Sequence, residues 1–181
     1  YITSWTAEDG LTITIRPIRP EDEPLVVRFH EKLSEDSVYL RFFQSLKLSR
    51  RIAHERLTRI CFVDFNRDVA LVADSKDPET GDHEIIAMGR LSRVYGKDEA
   101  EFSLEVRDTF HRRGLGTELL RRLVAIGRDE RIGCISAVVL PQNRGMLRVC
   151  EKLGIHTHFA ELDRLVRARL VLADTGKQAS E

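Results

Sequence analysis

Cysteine and long apolar runs are scarce in this 181-residue chain, and their scarcity excludes several kinds of protein. The three cysteines, Cys61, Cys134 and Cys150, are far apart and form no CxxC or Cys/His cluster, so the sequence indicates neither a disulfide framework nor a zinc site. The longest apolar runs, such as residues 135–140, fall far short of the roughly 20 residues of a membrane span. No charged, apolar and small-residue leader opens the sequence. We therefore expect a cytoplasmic protein with reduced thiols, no bound metal and no membrane partner.

The chain also lacks an excess of charge of either sign. Its 29 Lys and Arg residues equal its 29 Asp and Glu residues, so no global positive field draws it to nucleic acid. With 42% hydrophobic residues, the chain can bury one sizeable core but is short for two ordinary domains. We predict a single domain over residues 11–172, between an irregular leader at 1–10 and a polar tail at 173–181.

The N-terminal part of this domain has the pattern of one strand followed by helices. Residues 11–15 alternate Leu, Ile and Ile with Thr, which is the period of a half-buried strand. Leu25, Phe29 and Leu33 recur at helical spacing. Ser34 can cap a second helix. A short third helix is predicted beyond it, over residues 52–60.

The remaining pattern predicts a mixed sheet. Residues 69–73, 85–94 and 100–106 are strand-like and separated by turn clusters, as in an antiparallel meander. A helix, a strand and a second helix follow, and two short strands close the domain; their predicted bounds are 114–131, 134–140, 143–152, 155–159 and 165–172. The predicted fold class is α/β (α+β), with about six to seven mostly antiparallel strands and helices on both faces.

The segment 101–120 (EFSLEVRDTFHRRGLGTELL) runs from a strand through a basic, glycine-bearing loop into a helix. Gly114 and Gly116 lack a β-carbon, so the backbone can approach a bulky anion, and the unpaired N–H groups of the first helical turn point toward it. Arg112 and Arg113 add positive charge beside those amides. The loop is therefore suited to a pyrophosphate.

The loop also has two other interpretations. A GxG at a helix start is often only a tight turn. A dinucleotide-binding fingerprint requires a third glycine, where this chain has Leu119, and a βαβ start to the domain in place of a meander. We set the dinucleotide alternative aside.

The strand, loop and helix resemble the acetyl-CoA-binding motif of the GNAT superfamily, whose core pattern is Gln or Arg, two residues, Gly, one residue, and Gly or Ala. His111 stands at the first position here, before Gly114 and Gly116. A second segment, LPQNRGMLRVCEKLGI, is similar to the family's following strand and helix, where Asn143 begins the helix and Gly154 ends it. The resemblance implies a GNAT fold and an acyltransferase that uses acetyl-CoA as co-substrate.

The segments LTITIRPIRPEDEP and LSEDSVYLRFF resemble the start of the Pat-type protein lysine acetyltransferases. This GNAT branch often joins the domain to a regulatory or acyl-CoA-synthetase-like module, so the resemblance leaves open a larger regulated polypeptide or a homodimer. It implies a protein lysine as the amine acceptor. A small-molecule or N-terminal amine is the alternative acceptor, and a non-catalytic acyl-CoA-sensing domain is the alternative outside the enzymes.

Acetyl transfer to a lysine needs a base, because only the neutral amine attacks and the pKa of a free lysine is about 10.4. The resemblance implies Glu101 for this role, on the strand that flanks the thioester. Glu105 is the rival, and the β-bulge that the family carries in this strand is expected to separate the two side chains.

The resemblance also implies how the coenzyme is held. The splayed strand offers backbone N–H groups to the pantetheine arm and the thioester oxygen, and the loop and the two helix starts contact the rest. The implied residues are Leu104, Glu105, Val106, His111, Arg112, Arg113, Gly114, Leu115, Gly116, Thr117 and Asn143.

Two of these assignments have a plain structural alternative. Asn143 is also a good N-cap for its helix, and it can be both cap and coenzyme contact. Cys150 occupies the place where many GNAT enzymes have a tyrosine that protonates the leaving thiolate. A buried cysteine is usually a small hydrophobe, however, so we interpret Cys150 as inert.

Overall fold

The computed structural model describes residues 1–172. Its strands are β1 (Thr3–Thr6), β2 (Thr12–Pro17), β3 (Asp68–Lys76), β4 (His83–Arg93), β5 (Glu99–Val106), β6 (Cys134–Val139), β7 (His156–Ala160) and β8 (Leu165–Val171). Its helices are α1 (Glu23–Glu31), α2 (Glu35–Phe42), α3 (Leu48–Arg51), α4 (His54–Cys61), α5 (Leu115–Asp129) and α6 (Arg144–Lys152), with short 3-10 turns at Pro20–Asp22 and Asp108–Phe110.

The strands form one sheet in the order β1-β2-β3-β4-β5-β6-β8-β7. Neighbouring strands are antiparallel, except that β5 and β6 run parallel. The crossover between these two strands is α5, as a parallel pair requires a long connection. Within residues 1–172, no helix combines the length and the apolar character needed to cross a membrane.

Each face of the sheet carries its own apolar core, because successive strand residues point to opposite faces. On one face, Leu119 and Leu123 of α5 are fully buried with the apolar residues of α6. On the other face, α1, α2 and α4 bury Val26, Val38 and Leu57, respectively. Strand β3, which lies between the two cores, is consequently buried along almost its whole length.

Helix α5 approaches the sheet most closely at Gly89 of β4. A β-carbon at Gly89 would lie 2.9 Å from Cγ of Leu119, closer than real side chains come. The absence of a side chain at Gly89 therefore lets α5 lie flat across β4 and β5. This packing fixes the position of the N-terminus of α5 beside the end of β5.

A buried ion network positions α1. The guanidinium of Arg16 on β2 donates two hydrogen bonds of 2.7 Å to the carboxylate of Asp22, and its Nε lies 3.1 Å from Oδ2 of Asp74 on β3. All three side chains are buried. Because a two-pronged pair fixes orientation as well as distance, the network holds the turn before α1 against the sheet.

The mixed, mostly antiparallel sheet with helices on both faces is confirmed, with eight strands where six to seven were predicted. The additional strand is β1, inside the segment 1–10 that the sequence predicts as irregular. Its side chains are almost all exposed, so it carries no apolar alternation. The predicted helix at 52–60 corresponds to α4 (His54–Cys61), and the short helix α3 (Leu48–Arg51) before it was not predicted. The predicted tail at 173–181 lies outside the described residues.

Candidate functional site

Strands β5 and β6 pair over only three residues and then diverge. Their register runs from Glu99 opposite Cys134 to Glu101 opposite Ser136. Beyond this point the two strands form the walls of a cavity of about 1020 Å³, lined by residues 103–106 on one side and 137–139 on the other. Beyond residue 101, the backbone N–H and C=O groups on the β6 side of β5 therefore have no strand partner.

The hydrogen bonds between β4 and β5 show which groups those are. Val94 N–H donates to Glu99 O at 2.9 Å and Arg107 N–H donates to Ile86 O at 3.0 Å. Bonded and non-bonded pairs alternate in an antiparallel ladder, so Glu105 lies in a bonded pair with β4. The backbone groups of Leu104 and Val106 therefore point away from β4 and into the cavity.

The register also corrects one expectation. The pairing of β4 with β5 runs without interruption from Arg93 opposite Ala100 to Ala87 opposite Val106, so the β-bulge predicted in this strand is wrong. The register shift in the meander lies between β3 and β4 instead, at Ala73 and Asp74. In an unbroken strand, residues four apart share a face.

Glu101 and Glu105 consequently lie on the same face of β5, about 13 Å apart along the strand. Glu101 is exposed in the cavity. The side chain of Glu105 is only 13% exposed, and its Oε1 lies 3.2 Å from Nε of Arg41 on α2. Its Oε2 is buried without a hydrogen-bond partner among the described residues. Of the two carboxylates, Glu101 is the accessible one, and Glu105 belongs to the contact between β5 and α2.

The loop that follows, His111 to Thr117, is folded to present backbone amides. Nε2 of His111 lies 2.8 Å from the carbonyl oxygen of Val106, which ties the loop to the end of β5. Arg112 has φ of 61° and Gly114 has φ of 81°, both left-handed. Left-handed residues of this kind turn successive N–H groups toward one concavity, which is an anion-binding arrangement.

The N-terminus of α5 at the end of this loop has no side-chain cap. Its N-cap is Gly114, and within the described residues no side chain accepts a hydrogen bond there. Two other helices of the chain are capped: Ser34 accepts from Ser37 N–H in α2, and Asn143 accepts from Met146 N–H at 3.1 Å in α6. The first-turn amides of α5 are therefore available to an external acceptor.

The predicted residues come together almost completely. Those that line the cavity are Glu101, Leu104, Glu105, Val106, His111, Arg112, Gly114, Leu115, Gly116, Thr117 and Asn143. The exception is Arg113, whose Nη1 lies 2.6 Å from Asp9 and whose guanidinium stacks 5.2 Å from the ring centroid of Phe110. Its charge is directed to the strand β1 side of the loop.

Cys150 is fully buried in the apolar core and does not line the cavity. Burial raises the pKa of its thiol to about 11. The side chain is therefore protonated at neutral pH and screened from the cleft, as its interpretation as an inert core residue predicts.

Two parts of the cavity wall were not predicted from the sequence. One is the outer face of α6, where Arg144, Arg148 and Lys152 recur every fourth residue and line the cavity; this spacing is visible in the sequence. The other is the α2 wall, formed by the lining residues Leu33, Ser37, Leu40, Arg41, Phe42 and Phe43. Its position depends on tertiary packing, so no local pattern indicates it.

The comparisons with known proteins agree with this geometry. Residues 12–156 match the acetyltransferase (GNAT) domain family. The chain belongs to the GNAT acetyltransferase family. Members of this family use acetyl-CoA, and the predicted GNAT fold is confirmed.

Three relatives illustrate the likeness. The GNAT domain of the PAT protein of S. lividans superposes with a TM-score of 0.83 at 30% identity, covering 94% of this chain and 97% of that chain. An acetyltransferase of Pseudomonas aeruginosa is 25% identical over 147 residues, covering 81% of this chain and 76% of its own length. The PaiA N-acetyltransferase of Thermoplasma acidophilum, solved with coenzyme A, has a TM-score of 0.67 at 15% identity, covering 88% and 98% of the two chains.

Proposed function

We propose that this chain transfers an acetyl group from acetyl-CoA to a protein lysine side chain, with Glu101 as the general base. The observation that carries the proposal is the uncapped N-terminus of α5 in the wall of the cavity that opens where β5 and β6 separate. The family and the cavity support the coenzyme, and the position of Glu101 supports the reaction.

The residues present fit acetyl-CoA, which supplies an acetyl group activated as a thioester. The amides of Leu115, Gly116 and Thr117 and the left-handed turn at Arg112 and Gly114 suit a pyrophosphate. The exposed cations along α6 add positive charge on the same wall, which favours a ligand with several negative charges.

The gap between the strands fits the elongated arm of the coenzyme. The N–H groups of Leu104 and Val106 point into it and can donate hydrogen bonds along its length. Donors fixed in a strand need no reorganisation when they stabilise a developing negative charge. Glu105 differs from its two neighbours: its backbone groups are paired with Met88 of β4 and its side chain contacts Arg41 of α2. We therefore assign it to the contact with α2 and not to the coenzyme.

Glu101 lies at the point where the strands separate. Ser92 on β4 and Ser136 on β6 flank it in register, and its side chain is exposed in the cavity. A carboxylate at this point can accept the proton of an incoming ammonium group, directly or through one water. Cys150 supplies no proton to the cleft, because it is buried in the core.

The choice of a protein lysine rests on the Pat-like N-terminal segments and on the likeness to the S. lividans PAT domain. The buried network gives one of those segments a structural role, since Arg16 and Asp22 both belong to LTITIRPIRPEDEP and join it to Asp74 of β3. A small-molecule or N-terminal amine is the alternative acceptor. By the family resemblance, Cys150 stands where many GNAT enzymes use a tyrosine as general acid, and its burial in the core is the observation that favours a non-catalytic acyl-CoA-sensing domain instead.

One experiment separates these functions. The protein is incubated with radiolabelled acetyl-CoA and a cell extract, and the label is sorted into protein and small-molecule fractions. We expect label on protein lysines with the wild type, at most about 1% of that label with Glu101→Gln at pH 7, and normal labelling with Glu151→Gln, an exposed glutamate of α6. Label in small amines alone would exclude the lysine, and coenzyme binding by calorimetry without any labelling would establish the sensing domain.

A further inference from the structure

Helix α2 is held to the sheet at its N-terminus by a carboxylate distant in the chain. Asp108, in the 3-10 turn after β5, accepts hydrogen bonds from Ser34 N–H at 3.0 Å, Ser34 Oγ at 2.6 Å and Ser37 Oγ at 2.8 Å. Partial burial alone would raise the pKa of Asp108, but the hydrogen bonds from Ser34 and Ser37 outweigh it and hold the pKa below its ordinary value. The group is thus a carboxylate at neutral pH.

This contact is not an ordinary helix cap. Ser34 already caps α2, since its hydroxyl oxygen accepts a hydrogen bond of 3.1 Å from Ser37 N–H. Asp108 adds a third partner from more than 70 residues away. Its contribution is therefore to the placement of α2 on the sheet, and only secondarily to the formation of the helix.

A second tether lies near the other end of α2. The side chain of Arg41 contacts the mostly buried Glu105 at 3.2 Å. The guanidinium of Arg41 also lies over the ring of Phe42, 5.0 Å from its centroid, and the guanidinium of Arg56 on α4 lies 5.1 Å from the same centroid. Because Glu105 is fixed by its pairing with β4, this contact sets the height of α2 above β5.

Both tethers come from residues 105–108, which lead directly into the loop at His111. The hydrogen bond from His111 to Val106 O joins the same segment to that loop. One short stretch of chain therefore contacts the amides proposed for the coenzyme on one side and α2 on the other.

We propose that Asp108 and Glu105 are positioning residues that hold the α2 wall in the place where it contacts the acceptor. This inference rests on the proposed function, because it takes Glu101 as the base for the acceptor amine: Glu101 lies on the same face of β5 as Glu105, which is the face that α2 contacts. Neither carboxylate contacts a reacting atom; each acts through the helix. The expected signature is a loss of acceptor binding with the coenzyme site intact.

The test compares Asp108→Ala and Glu105→Gln with Asp36→Ala, a control that removes an exposed acidic residue from the first turn of α2 without touching a tether. The acceptor is a lysine-containing protein recovered from the labelled fraction of the extract. We expect its KM to rise about tenfold in each tether variant, with kcat changed less and the Kd for acetyl-CoA within about threefold of wild type. Adding Ser37→Ala to Asp108→Ala should cost almost nothing further, since the two act through one contact. Hydrogen exchange of the α2 amides should speed up in Asp108→Ala and not in Asp36→Ala.

Each other outcome has a defined meaning. An unchanged acceptor KM, or a Kd for acetyl-CoA weakened as much as the acceptor KM, overturns the proposal, the second because it indicates a general structural defect. If the wild type labels no acceptor at all, the proposed function itself fails and the acceptor role of α2 fails with it. If the wild type labels the acceptor and the tether variants have an unchanged acceptor KM, the proposed function stands and only the positioning role of Asp108 and Glu105 is refuted.

Discussion

Glu101 and Ser136 form the last register pair between β5 and β6 before the two strands separate. This pair defines the closed end of the cleft, and everything proposed for catalysis lies on its open side. The exposed carboxylate of Glu101 stands at the boundary, where a group extending along the gap from the loop at Gly114 would end.

The pH profile of Glu101→Gln tests the base directly. We expect the variant to lose about 10²-fold to 10⁴-fold in kcat/KM at pH 7, the usual contribution of a general base. The loss should shrink as pH rises toward the lysine pKa of about 10.4, because the acceptor amine then loses its proton to solvent. The measurement is kcat/KM from pH 6 to 10. A constant deficit across this range would show that Glu101 does not act as the base.

A pair of glycine substitutions tests the loop. Gly114 has φ of 81°, so Gly114→Ala places a β-carbon in a left-handed conformation at a cost of roughly 1–2 kcal/mol. The free loop can relax to another conformation, and we expect the Kd for acetyl-CoA to rise about tenfold.

Gly116→Ala is the matched control for this pair. The pattern that this loop resembles allows Gly or Ala at this position, and a β-carbon there would lie 3.7 Å from Cγ2 of both Val106 and Val149, which is ordinary contact. We therefore expect the Kd to stay within about threefold of wild type. Calorimetry on both variants gives the comparison. Equal losses would indicate that the left-handed turn is not what presents the amides.

Buried His30 makes stability depend on pH. Burial lowers its pKa below the ordinary value, Glu105 opposes this, and Arg41, Arg51 and Arg56 reinforce it. Below about pH 6.5, His30 is protonated in the unfolded chain but stays neutral in the folded chain. The free energy of unfolding therefore decreases as the pH falls from about 6.5 toward the lower pKa of the folded state.

Urea unfolding of His30→Leu between pH 5 and 8 checks this dependence. The variant should show a weaker fall in unfolding free energy over this window than the wild type does. His158→Gln, an exposed histidine of β7, should behave as the wild type does. Parallel pH curves for all three proteins would contradict the assignment.

Cys150→Ala tests whether the thiol of Cys150 acts as a general acid. With the side chain fully buried and its pKa raised to about 11, we expect kcat to stay within about twofold of wild type. The small cavity should lower the free energy of unfolding by about 1 kcal/mol. A loss of kcat of tenfold or more without a change in coenzyme affinity would reinstate Cys150 as an acid.

The parts of the site that could be predicted are those encoded locally. Gly114, Gly116 and Asn143 mark helix starts, and the apolar period of α5 follows at once, so the strand, loop and helix were placed within a residue or two. The apolar run at 134–140 likewise indicated the strand β6, but the strand is buried on both faces only at its start, and Val138 is exposed.

The parts that could not be predicted depend on partners distant in the sequence. Arg113 has the same local context as Arg112, but it contacts Asp9, about a hundred residues away. The shared face of Glu101 and Glu105 follows from an uninterrupted register that only the pairing with β4 reveals. The α2 wall is held at the cleft by hydrogen bonds from Ser34 and Ser37 to Asp108, which lies 74 and 71 residues further along the chain. No local pattern in the sequence indicates a contact over that separation.

Strand β1, which carries no apolar pattern, brings an aromatic ring to the loop: a β-carbon at Gly114 would lie 3.7 Å from Cζ2 of Trp5. Trp5 is the chain's single tryptophan. Its fluorescence therefore has one source, adjacent to the amides proposed for the diphosphate, and a titration followed by intrinsic emission monitors that turn without any label.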